Sequence, residues 1–246
     1  MTILVAGGTK GIGLAIAKAF AREAGDVFRG YHGDEAAAET ARAAVESEGG
    51  RAHLVKADVG TPEGCAELAA AARAAGAVID QLVHCAVDAY PTSALDADPQ
   101  RFARAIAVNG TSLLFLVQAA LPLMRRGSSV FYLTSRGGRV VVPNYAAVGV
   151  AKALAESLMR YLATELAPKG IRINAIAPAI VETDAVRALF GANAGEIVRA
   201  SASQNPSGRG VEDKDYTSLM RWLASPEAEF IQGQIVFVNG GANLSA

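Results

Sequence analysis

Tyr145 and Lys152 stand seven residues apart in PNYAAVGVAKALAESLMRYLATEL. The segment has few helix breakers, and its apolar pattern predicts a long buried helix over 145–166. Seven residues is close to two helical turns, so a phenol and an ammonium project from one face. Such a pair behind a dinucleotide-binding N-terminus is the equipment of a cofactor-dependent reductase. An ordinary Tyr and Lys on a packed helix have the same spacing, so the pair gains meaning only from what lies upstream.

Upstream, a short apolar strand over 3–6 runs into Gly7-Gly8-Thr9-Lys10-Gly11-Ile12-Gly13 and then into the helical pattern LAIAKAFAREAG. Strand, glycine turn and helix are the context a phosphate-binding loop needs. Glycines let the backbone approach a pyrophosphate, and the helix start offers free N–H groups and a positive dipole end. A second strand is expected over 27–31. An NAD-preferring site places Asp or Glu near the end of that strand, but this chain has Gly30 and Tyr31, followed by His32. Lys10 either pairs with a 2′-phosphate or is a solvated loop lysine. Asp34 and Glu35 lie close by and would oppose a phosphate if they faced it. The pattern leans toward NADPH ahead of NADH.

The third strand, in RAHLVKADV, ends at Asp58-Val59. Asp58 can accept a hydrogen bond from an adenine amino group or cap the next helix, with Thr61 as the competing cap. The fourth strand, in DQLVHCAV, ends in the small residues Cys85 and Ala86, as backbone lying against a cofactor requires. His84 is expected as a packed strand residue. A helix over 99–124 carries Asn109, a polar residue in an apolar segment that needs a partner.

The 246 residues suit one large α/β domain, because no linker or charge block interrupts the alternation of strands and Ala-rich helices. With 51% hydrophobic residues a sizeable core can form. A net charge of −1 supplies no footprint for nucleic acid or an anionic membrane. No apolar run long enough to span a bilayer and no leader pattern are expected, which points to a cytoplasmic protein. Two cysteines, Cys65 and Cys85, form neither a disulfide framework nor a metal-ligand spacing, so no metal is expected.

Taken together, GGTKGIG, ADV, Asn109, Ser135, the Tyr145/Lys152 helix, RINAIAP and GQIVFVNGG resemble the short-chain dehydrogenase/reductase family over essentially the whole chain. The resemblance implies a Rossmann-type doubly wound parallel sheet of about seven strands in one domain. Ketone-reducing members carry Tyr-x3-Lys, and here Val148 holds that tyrosine position. Tyr-x6-Lys is similar to enoyl-[acyl-carrier-protein] reductases. NYAAVGVAKALAESLMRYLATELAPKGIRINA, ETDAV and QNPSGRGVEDKD most resemble the type III branch. Three departures from common patterns accompany this. Ser135 stands at the tyrosine of SYLG, as in the type III branch. His84-Cys85-Ala86 replaces Asn-Asn-Ala, and Ala6 replaces the usual Thr before the glycine turn.

The spacing suits alkene chemistry. In conjugate reduction of an enoyl thioester, charge develops on an oxygen a few ångströms from the carbon that receives hydride. Moving Tyr back three positions shifts its anchor by about 4.5 Å along the helix axis. The expected roles are Tyr145 as donor to the enolate oxygen and Lys152 as the group on the nicotinamide ribose hydroxyls. Asn109, as the resemblance implies, supports Lys152 through water. Ser135 either contacts the substrate or nicotinamide end, or only ends a strand. Pro178, Ile180 and Thr183, in the segment 178–183, line the nicotinamide carboxamide or form a plain loop. Two short helical patterns within 184–209 are expected as a lid over the acyl chain, or as a surface excursion. Arg187 and Arg199 are candidates for an acyl carrier protein or a phosphopantetheine phosphate. The resemblance also implies a homotetramer. NADPH-dependent 3-oxoacyl reduction and a catalytically inactive cofactor-binding regulator are the alternative functions.

Overall fold

All seven strands are parallel, in the order β3-β2-β1-β4-β5-β6-β7. The computed structural model describes residues 1–23 and 25–242. The strands are β1 (Thr2–Ala6), β2 (Asp26–Tyr31), β3 (Arg51–Lys56), β4 (Ile79–His84), β5 (Met124–Leu133), β6 (Arg172–Pro178) and β7 (Ile235–Val238). Between them run α1 (Gly11–Ala21), α2 (Glu35–Glu46), α3 (Pro62–Ala74), α4 (Pro99–Ile106), α5 (Ser112–Ala120) and α6 (Ala146–Leu166). After β6 come α7 (Asp184–Phe190), α8 (Ala194–Ser203) and α9 (Asp213–Ala224). The doubly wound sheet expected from the sequence is present in full.

Strands covered on both faces read as continuous apolar runs, and TILVA of β1 is buried at every residue. Successive side chains point to opposite faces. Leu4, Leu82 and Val130 therefore join one core with α3, α5 and α6. Ile3, Val5 and Phe131 join the other with α1 and α9. Each such side chain contributes about 1.5–3 kcal/mol when removed from water. The winding direction reverses between β1 and β4, which opens a crevice at their carboxyl ends, where ligands bind in open α/β sheets.

Two expectations change. The helix expected over 99–124 is broken: α4 gives way to a π-helical turn, Ala107–Thr111, before α5 begins. Asn109 sits in that turn. Within Pro99–Leu123, an 18-residue stretch reaches a mean hydropathy of 1.6, which by length and composition alone suffices to cross a membrane, where the sequence predicts no such run. It packs against α3, α6 and β4 as a core helix.

Candidate active site

The glycine turn is shaped by what it must approach. Gly7 has φ +76°, and a Cβ there would lie 2.6 Å from Ala86 backbone atoms. Only glycine supplies both that dihedral and that gap. The turn is pinned by Gly7 N–H donating to the Gly30 carbonyl at 3.2 Å, while Cys85 N–H donates to the Ala6 carbonyl at 2.9 Å. Gly7, Cys85 and Ala86 thus meet at the crevice. Gly13 packs its bare Cα against the Gly7 carbonyl, which brings α1 close beneath the turn.

The start of α1 is electrostatically open. Its N-cap, Lys10, makes no side-chain cap bond, and the first turn holds no acidic residue. By contrast Asp34, Thr61, Asp98 and Thr183 cap α2, α3, α4 and α7. Free N–H groups around Gly11, Ile12 and Gly13 fit the diphosphate of a dinucleotide. Residues and geometry therefore fit an NAD(P) cofactor.

At the adenosine end the charges differ from expectation. Lys10 Nζ lies 2.5 Å from Asp34 and 3.4 Å from Asp184. Its pKa is raised, chiefly by the hydrogen bond to Asp34. Asp34 does face Lys10, so the lysine expected to meet a 2′-phosphate already has carboxylate partners. Glu35 points elsewhere and pairs with Lys56 at 2.6 Å. His32 is exposed just beyond β2. Arg29, within β2, is fully buried beside Gly8, and its guanidinium has no hydrogen-bond partner among the described residues.

Asp58 is likewise taken up by the protein. Both carboxylate oxygens receive Arg104, at 2.9 and 2.6 Å, and Oδ1 also accepts from Gly60 N–H. The Arg104 guanidinium first, and the Gly60 bond with it, hold its pKa below the ordinary value. The cap of α3 is Thr61, whose Oγ accepts from Gly64 N–H at 3.0 Å. Val59 is buried beside it in the core with α3.

The catalytic candidates converge on the end of β5. Lys152 Nζ donates to the Leu133 carbonyl at 2.7 Å, and the Tyr145 hydroxyl lies 3.2 Å from Ser135 Oγ. The shared face read from the spacing thus delivers both side chains to positions two residues apart in the chain. Tyr145 is the N-cap of α6 rather than an interior residue. Asn144 before it has φ +56°, a left-handed conformation Asn tolerates better than most residues. An isolated parallel bridge, Thr92 to Tyr145, stitches the loop after β4 to this corner. Gly137 seats the ring: a Cβ there would fall 2.5 Å from Tyr145 Cε1. Ser135 also caps the following turn by accepting from Gly137 N–H at 3.2 Å.

Burial tunes these groups. It pulls the Lys152 ammonium down to about 8, with Cys85 and Glu156 acting in the opposite direction. Burial raises Tyr145, and the Ser135 hydrogen bond partly offsets it. Cys85 is pushed up to about 11 and His84 down to about 3, both by burial. His84 is the packed strand residue expected from its setting, with no exposed surface.

Asn109 has the polar partner that its apolar setting required. Its side chain is fully engaged with Asp88, accepting from the backbone N–H at 3.0 Å and donating to the carbonyl at 2.9 Å. Its own carbonyl receives the Tyr132 hydroxyl at 2.5 Å. Pro178 ends β6, and Ile180 and Thr183 follow it beside the crevice. Thr183 packs on Gly11, with Cγ2 2.8 Å from where a Cβ would stand. The segment 184–209 does form two short helices, α7 and α8. Arg187 is bridged to Asp184 and Glu182, at 2.9 and 3.1 Å, so its charge is balanced locally. Arg199 lies exposed on α8.

Sequence reasoning missed Gly137, Thr92, Asn144 and Arg104. Asn144 had a signal, an Asn just before a helix start. The other three work through contacts between segments distant in sequence.

The family profile described as Enoyl-(Acyl carrier protein) reductase matches residues 6–243. The chain belongs to the short-chain dehydrogenase/reductase family. Within that family it is similar to 1-cyclohexenylcarbonyl-CoA reductase of Streptomyces collinus, 29% identical over 99% of this chain and 87% of the relative. The enoyl-[acyl-carrier-protein] reductase (NADH) of Aquifex aeolicus VF5 superposes with a TM-score of 0.87 at 28% identity, over 98% of this chain and 95% of that one. The reductase LugOII, which catalyses keto-reduction in lugdunomycin biosynthesis, superposes with a TM-score of 0.87 at 31% identity, over 99% and 98%. This short-chain dehydrogenase/reductase is therefore an oxidoreductase with an NAD(P)-binding fold, in a family that includes both alkene and ketone reductases.

Proposed function

We propose that this enzyme reduces the carbon–carbon double bond of a trans-2-enoyl thioester, with NADPH ahead of NADH. The observation that carries the reading is the ketoreductase tyrosine position itself. Val148 fills it, fully buried and with no proton to donate, while the hydroxyl of Tyr145 sits at Ser135. When bound, the cofactor supplies the hydride that the β-carbon accepts. Tyr145 donates a hydrogen bond to the thioester oxygen as it gains enolate charge, in a largely buried site that strengthens the bond, and the α-carbon then takes a proton from solvent to give the saturated thioester. Ser135 orients the Tyr145 hydroxyl. Lys152 engages the nicotinamide ribose hydroxyls and places its positive charge near the enolate. Helices α7 and α8 cover the acyl chain as a lid whose base, Thr183 and Asp184, rests on the glycine turn.

NADPH preference rests on Lys10 and on the lack of an acidic side chain at Gly30, Tyr31 and His32; Asp34 acts against it. A carrier-protein or coenzyme A thioester, a cytoplasmic setting and a homotetramer complete the reading. The second reading, ketone reduction, is favoured by the likeness to LugOII. NADPH oxidation at equal enzyme with crotonyl and acetoacetyl thioesters separates them. Faster turnover of the crotonyl thioester supports alkene reduction, and the reverse order assigns the enzyme to ketones.

A further inference from the structure

Lys152 rests on a residue that plays no part in the reading so far. Tyr132, near the end of β5, has no exposed surface. Its ring lies under the Lys152 ammonium, 4.7 Å from centroid to Nζ. Its hydroxyl is fixed by the 2.5 Å bond to the Asn109 carbonyl. His84 is its register partner on the adjacent strand, with ring centroids 5.3 Å apart. His84 Nε2 lies 2.6 Å from Ser112 Oγ, and Ser112 Oγ donates to the Val108 carbonyl at 2.6 Å. Two neighbouring strand residues thereby bind down two successive carbonyls of the π-helical turn, one directly and one through Ser112. A π-helical turn displaces its carbonyls from ordinary α-helical partners, and such turns recur at functional sites.

We propose that Tyr132 is a positioning residue for Lys152, anchored by its hydroxyl to the Asn109 carbonyl and holding the ammonium, with the Leu133 carbonyl, at the Tyr145 end of the site. The inference rests on the reading that Lys152 binds the cofactor ribose. With its hydroxyl anchored, the Tyr132 ring cannot turn away, so the cation keeps a π face below it and one carbonyl beside it. Burial in this setting lowers the ammonium to about 8. The titratable groups that face it are His84 and Cys85 at the end of β4, Tyr132 on β5, and Tyr145 and Glu156 at α6. His84, at about 3, and Cys85, at about 11, titrate away from the lysine.

A residue that merely fills the core changes melting temperature; a positioning residue also moves the titration of Lys152. NADPH affinity, read by cofactor fluorescence without substrate, is measured across the slightly acid to alkaline range. In the wild type it should fall as pH rises through about 8, where the ammonium is lost. In Tyr132→Phe, which keeps the ring, water reaches the Asn109 carbonyl and hydrates the cation. The midpoint then moves upward by about half a pH unit or more. Ser112→Ala cuts the His84 branch only; it lowers the melting temperature and leaves the midpoint in place. An unshifted midpoint in folded Tyr132→Phe overturns the proposal, as does an equal shift in Ser112→Ala or a flat profile in every protein. Failure of the enoyl-reductase reading shows separately, as absent crotonyl turnover with the binding profiles intact.

Discussion

The two ends of the cofactor crevice are built from different forces. Around Lys152 and Tyr145 the polar groups are buried or half-buried, and hydrogen bonds tie them to the end of β5 and the turn after it. Around Lys10 the groups are about half exposed and interact as charges, with Asp34 and Asp184 both on one ammonium. Buried hydrogen bonds are costly to leave unmade, whereas exposed ion pairs are screened by water and salt. The catalytic end should therefore respond to substitution steeply, and the adenosine end in small, salt-dependent steps.

The largest expected effect is that of Tyr145→Phe. Loss of the phenol bonded to Ser135 should lower kcat on an enoyl thioester by roughly ten- to a thousandfold, the scale of one oxyanion donor. The dissociation constant for NADPH should stay near wild type, because the phenol does not anchor it. Steady-state kinetics beside cofactor titration checks both halves, and unchanged turnover removes Tyr145 from the mechanism.

Gly137→Ala tests the steepness without removing a polar atom, although its Cβ would also stand 3.3 Å from Ser135 Oγ. Its new Cβ would stand 2.5 Å from the Tyr145 ring, so the ring must move. We expect kcat to fall by about ten- to a hundredfold, in line with a displaced reacting group, with NADPH binding preserved. Wild-type turnover with a normal melting curve would mean that the corner is soft, and the contrast between the two ends would weaken.

The smallest effects belong to the adenosine end. Asp34→Asn should free Lys10 and raise the NADPH-to-NADH affinity ratio by about two- to fivefold, an effect that fades with added salt. Lys10→Ala should lower NADPH affinity by less than about fivefold, because Asp34 and Asp184 already occupy the ammonium. Titration of both cofactors at two ionic strengths reads this directly. A loss of a hundredfold or more in Lys10→Ala would place the 2′-phosphate on the lysine itself and reverse the ranking of the two ends.

Much of the architecture was legible because it is written in short-range patterns. Alternating apolar runs and glycine turns mark strands and crossovers, and they produced the observed doubly wound sheet. The seven-residue spacing of Tyr145 and Lys152 required only helical geometry. What the spacing could not convey is that Tyr145 would begin the helix instead of lying within it. That start depends on the left-handed Asn144 and on the Thr92 bridge from a loop some fifty residues away in sequence.

The sequence by itself determined the class of fold, the glycine turn and the absence of a proton donor at Val148. Each follows from local propensity, backbone permissiveness or side-chain chemistry. Only the tertiary structure decided which charges and hydroxyls are already in use. Asp34 proved to face Lys10, Arg104 to occupy Asp58, and Tyr132 to reach the Asn109 carbonyl. A hydrogen bond depends on distances of a few tenths of an ångström between groups from different strands and helices. Those distances are set by how the layers pack, and no single segment of the sequence contains that information.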